Sequence, residues 1–178
     1  MMKLSTQSGF TLIELILSMV LMGIVAVTAG MLIYQGARSF EALSDLKEVT
    51  QQSTLALERV SRELRPMKCT ISGNACSASA SDIPVMTASE LRFLNSSFEG
   101  RGFRLSGNTL MLRDGTGAGD PEYALATGVS SLTFEYLKAD GTAAASTAEL
   151  WTVSMNMALA SGQATIAVKA SVHPRGFR

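Results

Sequence analysis

The sequence predicts an α+β fold: one long N-terminal α-helix packed against a C-terminal antiparallel β-sheet head. Three observations lead there. The chain opens with a charge-free apolar run, apolar residues then continue at helical spacing, and composition changes at Pro66. All four Pro and 11 of the 15 Gly lie from Pro66 onward, where short alternating runs replace the helical period. The 178 residues carry 15 Lys+Arg against 15 Asp+Glu, which excludes binding to nucleic acid through a general excess of positive charge. With 47% hydrophobic and 17% charged residues, the chain is too apolar to remain disordered.

The N-terminal element comes first. Met1 to Gly9 is short and polar, with Lys3 as its one charged side chain, and Phe10-Thr11-Leu12-Ile13-Glu14-Leu15 follows. The 20 residues from Leu15 to Tyr34 contain no ionisable side chain other than Tyr34, about the length a helix needs to cross a bilayer. Lys3 and the amino terminus precede the span, so the positive-inside tendency puts the leader in the cytoplasm and the rest beyond the membrane. Glu14 is anomalous, because a carboxylate inside an apolar helix costs roughly 2.5–3.5 kcal/mol and such residues usually have a partner. Lys3 sits in the leader, and Arg38 lies about 36 Å away along a helix. A partner must therefore come from another molecule, or the carboxylate must sit near the headgroups.

Gly9-Phe10-Thr11-Leu12-Ile13-Glu14, after a short basic leader and before a long apolar run, resembles the N-terminal signature of type IV prepilins and pseudopilins. The resemblance implies that a membrane prepilin peptidase cuts between Gly9 and Phe10 and methylates the new Phe10 amine. It also implies that Glu14 neutralises the N-terminal amine of a neighbouring subunit. An unpaired carboxylate and a newly freed ammonium on related helices are natural partners in a low-dielectric bundle. Two other readings of the segment are open. One is a secretory signal cut after Val27-Thr28-Ala29, and the other is a plain single-pass anchor. The mature N-terminus separates the three, being Phe10, Gly30 or Met1/Met2 respectively.

Beyond Tyr34 the apolar spacing persists through Ala37, Phe40, Leu43, Leu46, Val49, Ser53, Ala56, Val60 and Leu64, at steps of three and four. Glu58 to Arg62 and Arg59 to Glu63 are spaced for ion pairs on a solvated face. Pro66 disfavours helical geometry at Arg65. The expected helix therefore runs from Phe10 to Arg65, 56 residues and about 84 Å, and its stretch from Phe40 to Leu64 is expected to cover a sheet.

In the head, strands are expected at 90–95, 102–105 and 109–113, with Ser106-Gly107-Asn108 as a tight connection. A second set is expected at 131–138, 150–159 and 164–172, with turns at Ala139-Asp140-Gly141 and Ser161-Gly162. Leu132, Phe134 and Tyr136 share one face of their strand, as do Trp151, Val153, Met155 and Met157 of theirs. One antiparallel sheet with a single buried face follows. Cys69 and Cys76 enclose a six-residue spacer, and an oxidising compartment favours a disulfide closing that loop over free thiols or half a metal site.

Two motifs could carry chemistry. Asp114-Gly-Thr-Gly-Ala-Gly-Asp120, followed by Glu122, places carboxylates on flexible backbone as a cation loop would, but the spacing is not that of an EF-hand and a glycine-rich turn explains it equally. His173 is the one His and stands beside Pro174, which reads as surface or packing. One His assembles no nucleophile–base set, and no phosphate-binding glycine motif precedes a Lys. No catalytic residue, cofactor or metal is expected.

Further stretches are similar to larger minor prepilins, among them the O-type minor prepilin of mannose-sensitive haemagglutinin (MSHA) pili and the J-type pseudopilin of type II secretion. These stretches are Leu55 to Arg65, Gly128 to Tyr136, and Val172-His173-Pro174-Arg175. The resemblance implies a cleaved leader at 1–9, a transmembrane and filament-core helix at 10–34, an amphipathic continuation at 35–65, and a periplasmic β-rich head at 66–178. The implied partners are other pilin and minor pilin subunits, the prepilin peptidase, the bacterial inner membrane and an assembly platform, with an assembly ATPase supplying work. Many major pilins have a proline partway along the helix, and none occurs here before Pro66, so the resemblance leans toward a minor subunit that primes assembly or sits at the tip. The competing class is a tip adhesin or DNA-uptake pilin, marked by a basic patch or an exposed aromatic cluster on the head. The sequence shows no clear run of either kind, and no nucleic acid is expected.

Overall fold

The computed structural model describes residues 11–72, 75–162 and 164–177. Its first element is α1, Leu12–Leu64. Thr11 caps it: the Glu14 and Leu15 N–H groups donate to the Thr11 carbonyl at 3.1 and 3.2 Å. The expected start at Phe10 lies outside the described residues. At the far end Arg65 and Pro66 belong to a turn rather than the helix, because a proline ring restricts the residue before it.

The chain divides into two units between Leu43 and Ser44. The first holds α1 up to Leu43, and its described residues are all exposed. The second holds the rest of α1 and all the strands. In it Val49, Ser53, Ala56, Val60 and Leu64 are buried, the one-face spacing that the sequence carries. The covered stripe is shorter than expected. Phe40, Leu43 and Leu46 continue the apolar period yet remain 74%, 64% and 43% exposed, so the head's core begins at Val49.

The strands are β1 (Thr70–Ser72), β2 (Ala75–Ser77), β3 (Val85–Met86), β4 (Glu90–Leu94), β5 (Gly100–Ser106), β6 (Thr109–Arg113), β7 (Glu122–Ala126), β8 (Val129–Leu137), β9 (Thr152–Ser161) and β10 (Ala164–Val172). They form three sheets instead of the single one expected: β1-β2, β3-β4-β5-β6-β7 and β10-β9-β8, with every pairing antiparallel. Between β7 and β8 the chain passes from one sheet to the next at Gly128. There φ is +70°, and a Cβ would lie 2.4 Å from the Ala160 carbonyl oxygen. Only glycine fits both demands at low cost.

Hydrophobic alternation carries the core. Leu132 and Phe134 of β8 and Val153, Met155, Met157 and Leu159 of β9 are buried, and so are Leu91, Phe93, Phe103 and Leu110 of the larger sheet. Two residues depart from the expected pattern. Trp151 precedes β9 and is half-buried, its indole against the His173 ring with centroids 4.4 Å apart. Tyr136 is half-buried and donates its hydroxyl to the Thr87 carbonyl at 2.7 Å, joining β8 to the turn before β4.

Candidate functional site

The N-terminal helix is the first candidate. From Leu12 to Tyr34 its large apolar side chains are exposed, from Leu15 at 48% to Leu12 at 80%. Such a continuous apolar surface needs lipid or other helices to cover it. α1 is the one helix among the described residues long and apolar enough to cross a membrane. Just past the apolar run, Arg38 stands over the Tyr34 ring at 5.4 Å, an aromatic and cationic combination typical of membrane interfaces.

Glu14 sits in the first turn of α1. Its N–H lies 3.4 Å from Thr11 Oγ1, which is the hydroxyl half of the Thr-x-x-Glu capping pattern. Its carboxylate has no ion pair with another described residue. A carboxylate here also faces the positive end of the helix dipole. Local geometry thus gives Glu14 a helix-starting position and leaves its charge available. Gly9 and Phe10, the cleavage and methylation residues expected from sequence, lie outside the described residues, as does Lys3.

In the head, Cys69 and Cys76 are joined by a disulfide with Cα atoms 5.5 Å apart. The residues of the suggested cation loop are engaged elsewhere. Glu122 accepts two bonds from Arg104, both 2.7 Å, and pairs with Arg113. Asp114 pairs with Arg101, while Asp120 accepts the Gly117 N–H at 2.6 Å. The bond from Arg104 holds the Glu122 carboxyl below its ordinary range although desolvation opposes it. With its carboxylates turned to different partners, the loop is a structural turn packed on β5, where a Cβ on Gly100 would come within 2.6 Å of Gly115 and Thr116 backbone. No group of three His, Cys, Asp or Glu suited to a metal occurs among the described residues. His173 bonds the Trp151 carbonyl through Nδ1 at 2.6 Å, a packing arrangement.

Sequence reasoning missed Asp82, which is fully buried. Its carboxylate accepts Lys68 Nζ at 2.5 Å, Thr70 Oγ1 at 2.9 Å, Ser79 Oγ at 2.7 Å and the Ser79 N–H at 3.0 Å. Burial pushes this carboxyl up, but the bonds from Lys68, Ser79 and Thr70 outweigh it and hold the group well below the usual carboxylate range. The Asp82 carbonyl accepts the Leu94 N–H at 2.8 Å, so this one residue ties the disulfide-bearing segment to β4.

No curated protein matches the chain. Residues 4–30, a span that contains Gly9, Phe10 and Glu14, match the family model described as the prokaryotic N-terminal methylation motif, which makes this segment type IV prepilin-like.

Proposed function

We propose that the chain is the precursor of a minor pilin or pseudopilin that assembles through its N-terminal helix into a type IV pilus of the MSHA kind. The methylation motif supports a type IV pilin-like or pseudopilin-like protein. The observation that carries the reading is that this motif runs directly into a helix whose apolar surface is bare along its whole length from Leu12 to Tyr34. Residues 1–9 are the leader, 10–34 the membrane and filament-core helix, 35–65 its amphipathic continuation and 66–178 the head. A prepilin peptidase removes the leader after Gly9 and methylates the Phe10 amine.

The processed helix leaves the inner membrane by packing into a bundle of like helices. Glu14 pairs there with the Phe10 ammonium of a neighbour, an ion pair strengthened by the low dielectric around it. The head is carried in the periplasm, and a disulfide at Cys69–Cys76 fits that oxidising compartment. The subunit primes or caps the fibre, and an assembly platform positions it. A role in the type II secretion pseudopilus uses the same helix and differs in its companions.

Replacing Glu14 by Ala tests the pairing. The variant is expected to be cut and methylated normally yet to be absent from sheared filaments. Incorporation at the level of the unmodified subunit would show that the carboxylate has no pairing role.

A further inference from the structure

The turn after α1, the β4–β5 loop and the C-terminal segment meet in one groove of the head. Its two adjoining clefts, of about 490 and 420 Å³, share Arg65, Pro66 and Arg175 as lining, and each has the size of a ligand-binding cleft. Three main-chain bonds fix the segments against one another. The Arg175 N–H donates to the Arg65 carbonyl at 3.0 Å, the Ser96 N–H to the Pro66 carbonyl at 2.7 Å and the Lys68 N–H to the Leu94 carbonyl at 2.8 Å. Gly176 lies so close to the disulfide that a Cβ there would stand 2.7 Å from Cys69 Sγ. The groove is therefore formed before any ligand arrives, and it lies wholly within the second unit.

Where the clefts meet, Arg65 and Arg175 are exposed and have no ion-pair partner among the described residues. The second cleft adds Lys68 and the Phe98 ring to its lining and holds no carboxylate. Phe98 is 70% exposed on left-handed backbone, with φ at +63°, a region that bulky residues rarely occupy. Asn95 enforces this by accepting the Ser97 and Glu99 N–H groups through Oδ1, at 2.9 and 3.0 Å. Asp82 holds Lys68, whose Nζ stands 4.7 Å from the Phe98 ring centroid, so a cation backs the ring and fixes it in solvent. The first cleft differs: it contains Ser61 and the Glu58–Arg62 ion pair.

Two guanidinium forks match a carboxylate or a phosphate, and three kinds of polymer carry such groups. A peptide needs main-chain partners, yet the N–H groups of Arg65, Met67, Lys68, Ser96, Phe98 and Arg175 already donate within the head. A nucleic acid carries a charge on every residue, and the first cleft, with Glu58 set against Arg62, offers the next phosphate no net counter-charge. An acidic polysaccharide with neutral sugars between its acids meets neither objection. Side-chain hydroxyls at Ser61 and Ser96 suit its hydroxyls, and the Phe98 ring suits the C–H face of a sugar. We infer that this groove binds an acidic polysaccharide, with one sugar carboxylate seated at Arg65 and Arg175 and a neighbouring sugar on Phe98. The site forms within a single chain and does not depend on the assembly reading above.

The test is calorimetric titration of the full chain in detergent micelles with a hyaluronan hexasaccharide, in which glucuronate alternates with a neutral sugar. Binding is expected, weakened about tenfold or more in R65Q/R175Q, less in either single variant, and about fivefold in Phe98→Ala. The urea midpoint of each variant, read from Trp151 fluorescence, identifies any that is misfolded, and the single arginine variants then decide. No binding of the hexasaccharide, equal binding of neutral maltohexaose, tighter binding of a dT hexanucleotide or of hexaglutamate, or an affinity unmoved by loss of the arginines in folded protein would each overturn the inference.

Discussion

Truncating Asp82 to Ala removes the acceptor for four donors at once. Lys68 is 22% exposed at its side chain and can turn to water, so losing its bond costs near the lower end for a charged pair, about 1.5 kcal/mol. The Ser79 N–H and the Thr70 and Ser79 hydroxyls add roughly 1 kcal/mol each, with losses that overlap because the groups share one acceptor. The expected destabilisation is about 3–4 kcal/mol, within the range for breaking one side of a buried pair. Urea unfolding of the full chain in detergent micelles, followed by the fluorescence of Trp151, reads it out. The midpoint should fall by about 1.5–2 M.

Asp82→Asn keeps the shape and loses the charge, and it adds a pH test. The folded carboxyl is held low, so its contribution is complete above the unfolded value of 3.8 and is lost as pH falls below it toward the folded pKa. The gap between the original chain and Asp82→Asn should be constant from about pH 5 to 7 and narrow below about pH 4. A midpoint shift for Asp82→Ala under about 0.5 M, or a gap as wide at pH 3 as at pH 6, would refute the reasoning.

Other substitutions probe the rest of the head in the same urea assay. Glu122→Ala leaves the Arg113 guanidinium, only 4% exposed, with the Gly117 carbonyl but no carboxylate to balance its charge, and should cost about 3 kcal/mol. Gly128→Ala forces a Cβ to 2.4 Å from the Ala160 oxygen at φ +70° and should cost about 3 kcal/mol, whereas Gly107→Ala, at φ +58° with open space around it, should cost only about 1 kcal/mol. Converting Cys69 and Cys76 together to Ala should cost about 2–3 kcal/mol, the value for so short a closed loop.

Much of this architecture was legible because it rests on period. The step of three and four from Val49 to Leu64 marks the buried face of α1, and alternation marks β8 and β9. The same period continues upward through Leu46, Leu43 and Phe40, and period alone cannot say whether a head or another molecule covers a given turn. β7 was not legible, since Tyr123 and Ala124 are both exposed and the alternation that marks a half-buried strand is missing. β1, β2 and β3 are only two or three residues long, too short for any pattern.

The head's charged sites depend on pairings that sequence does not contain. Glu122 has the composition of a cation ligand, but the register sets it opposite Arg113 and within reach of Arg104. Asp82 sits in a Ser-rich stretch that reads as an ordinary polar loop. Its partner Lys68 is 14 residues away, with no spacing rule joining them.

The most direct measurement is the intact mass and N-terminal fragment spectrum of the mature chain from native membranes. The account predicts a chain that starts at Phe10 and carries one added methyl group on its amine. A chain still starting at Met1 or Met2, or one starting at Gly30, would contradict it.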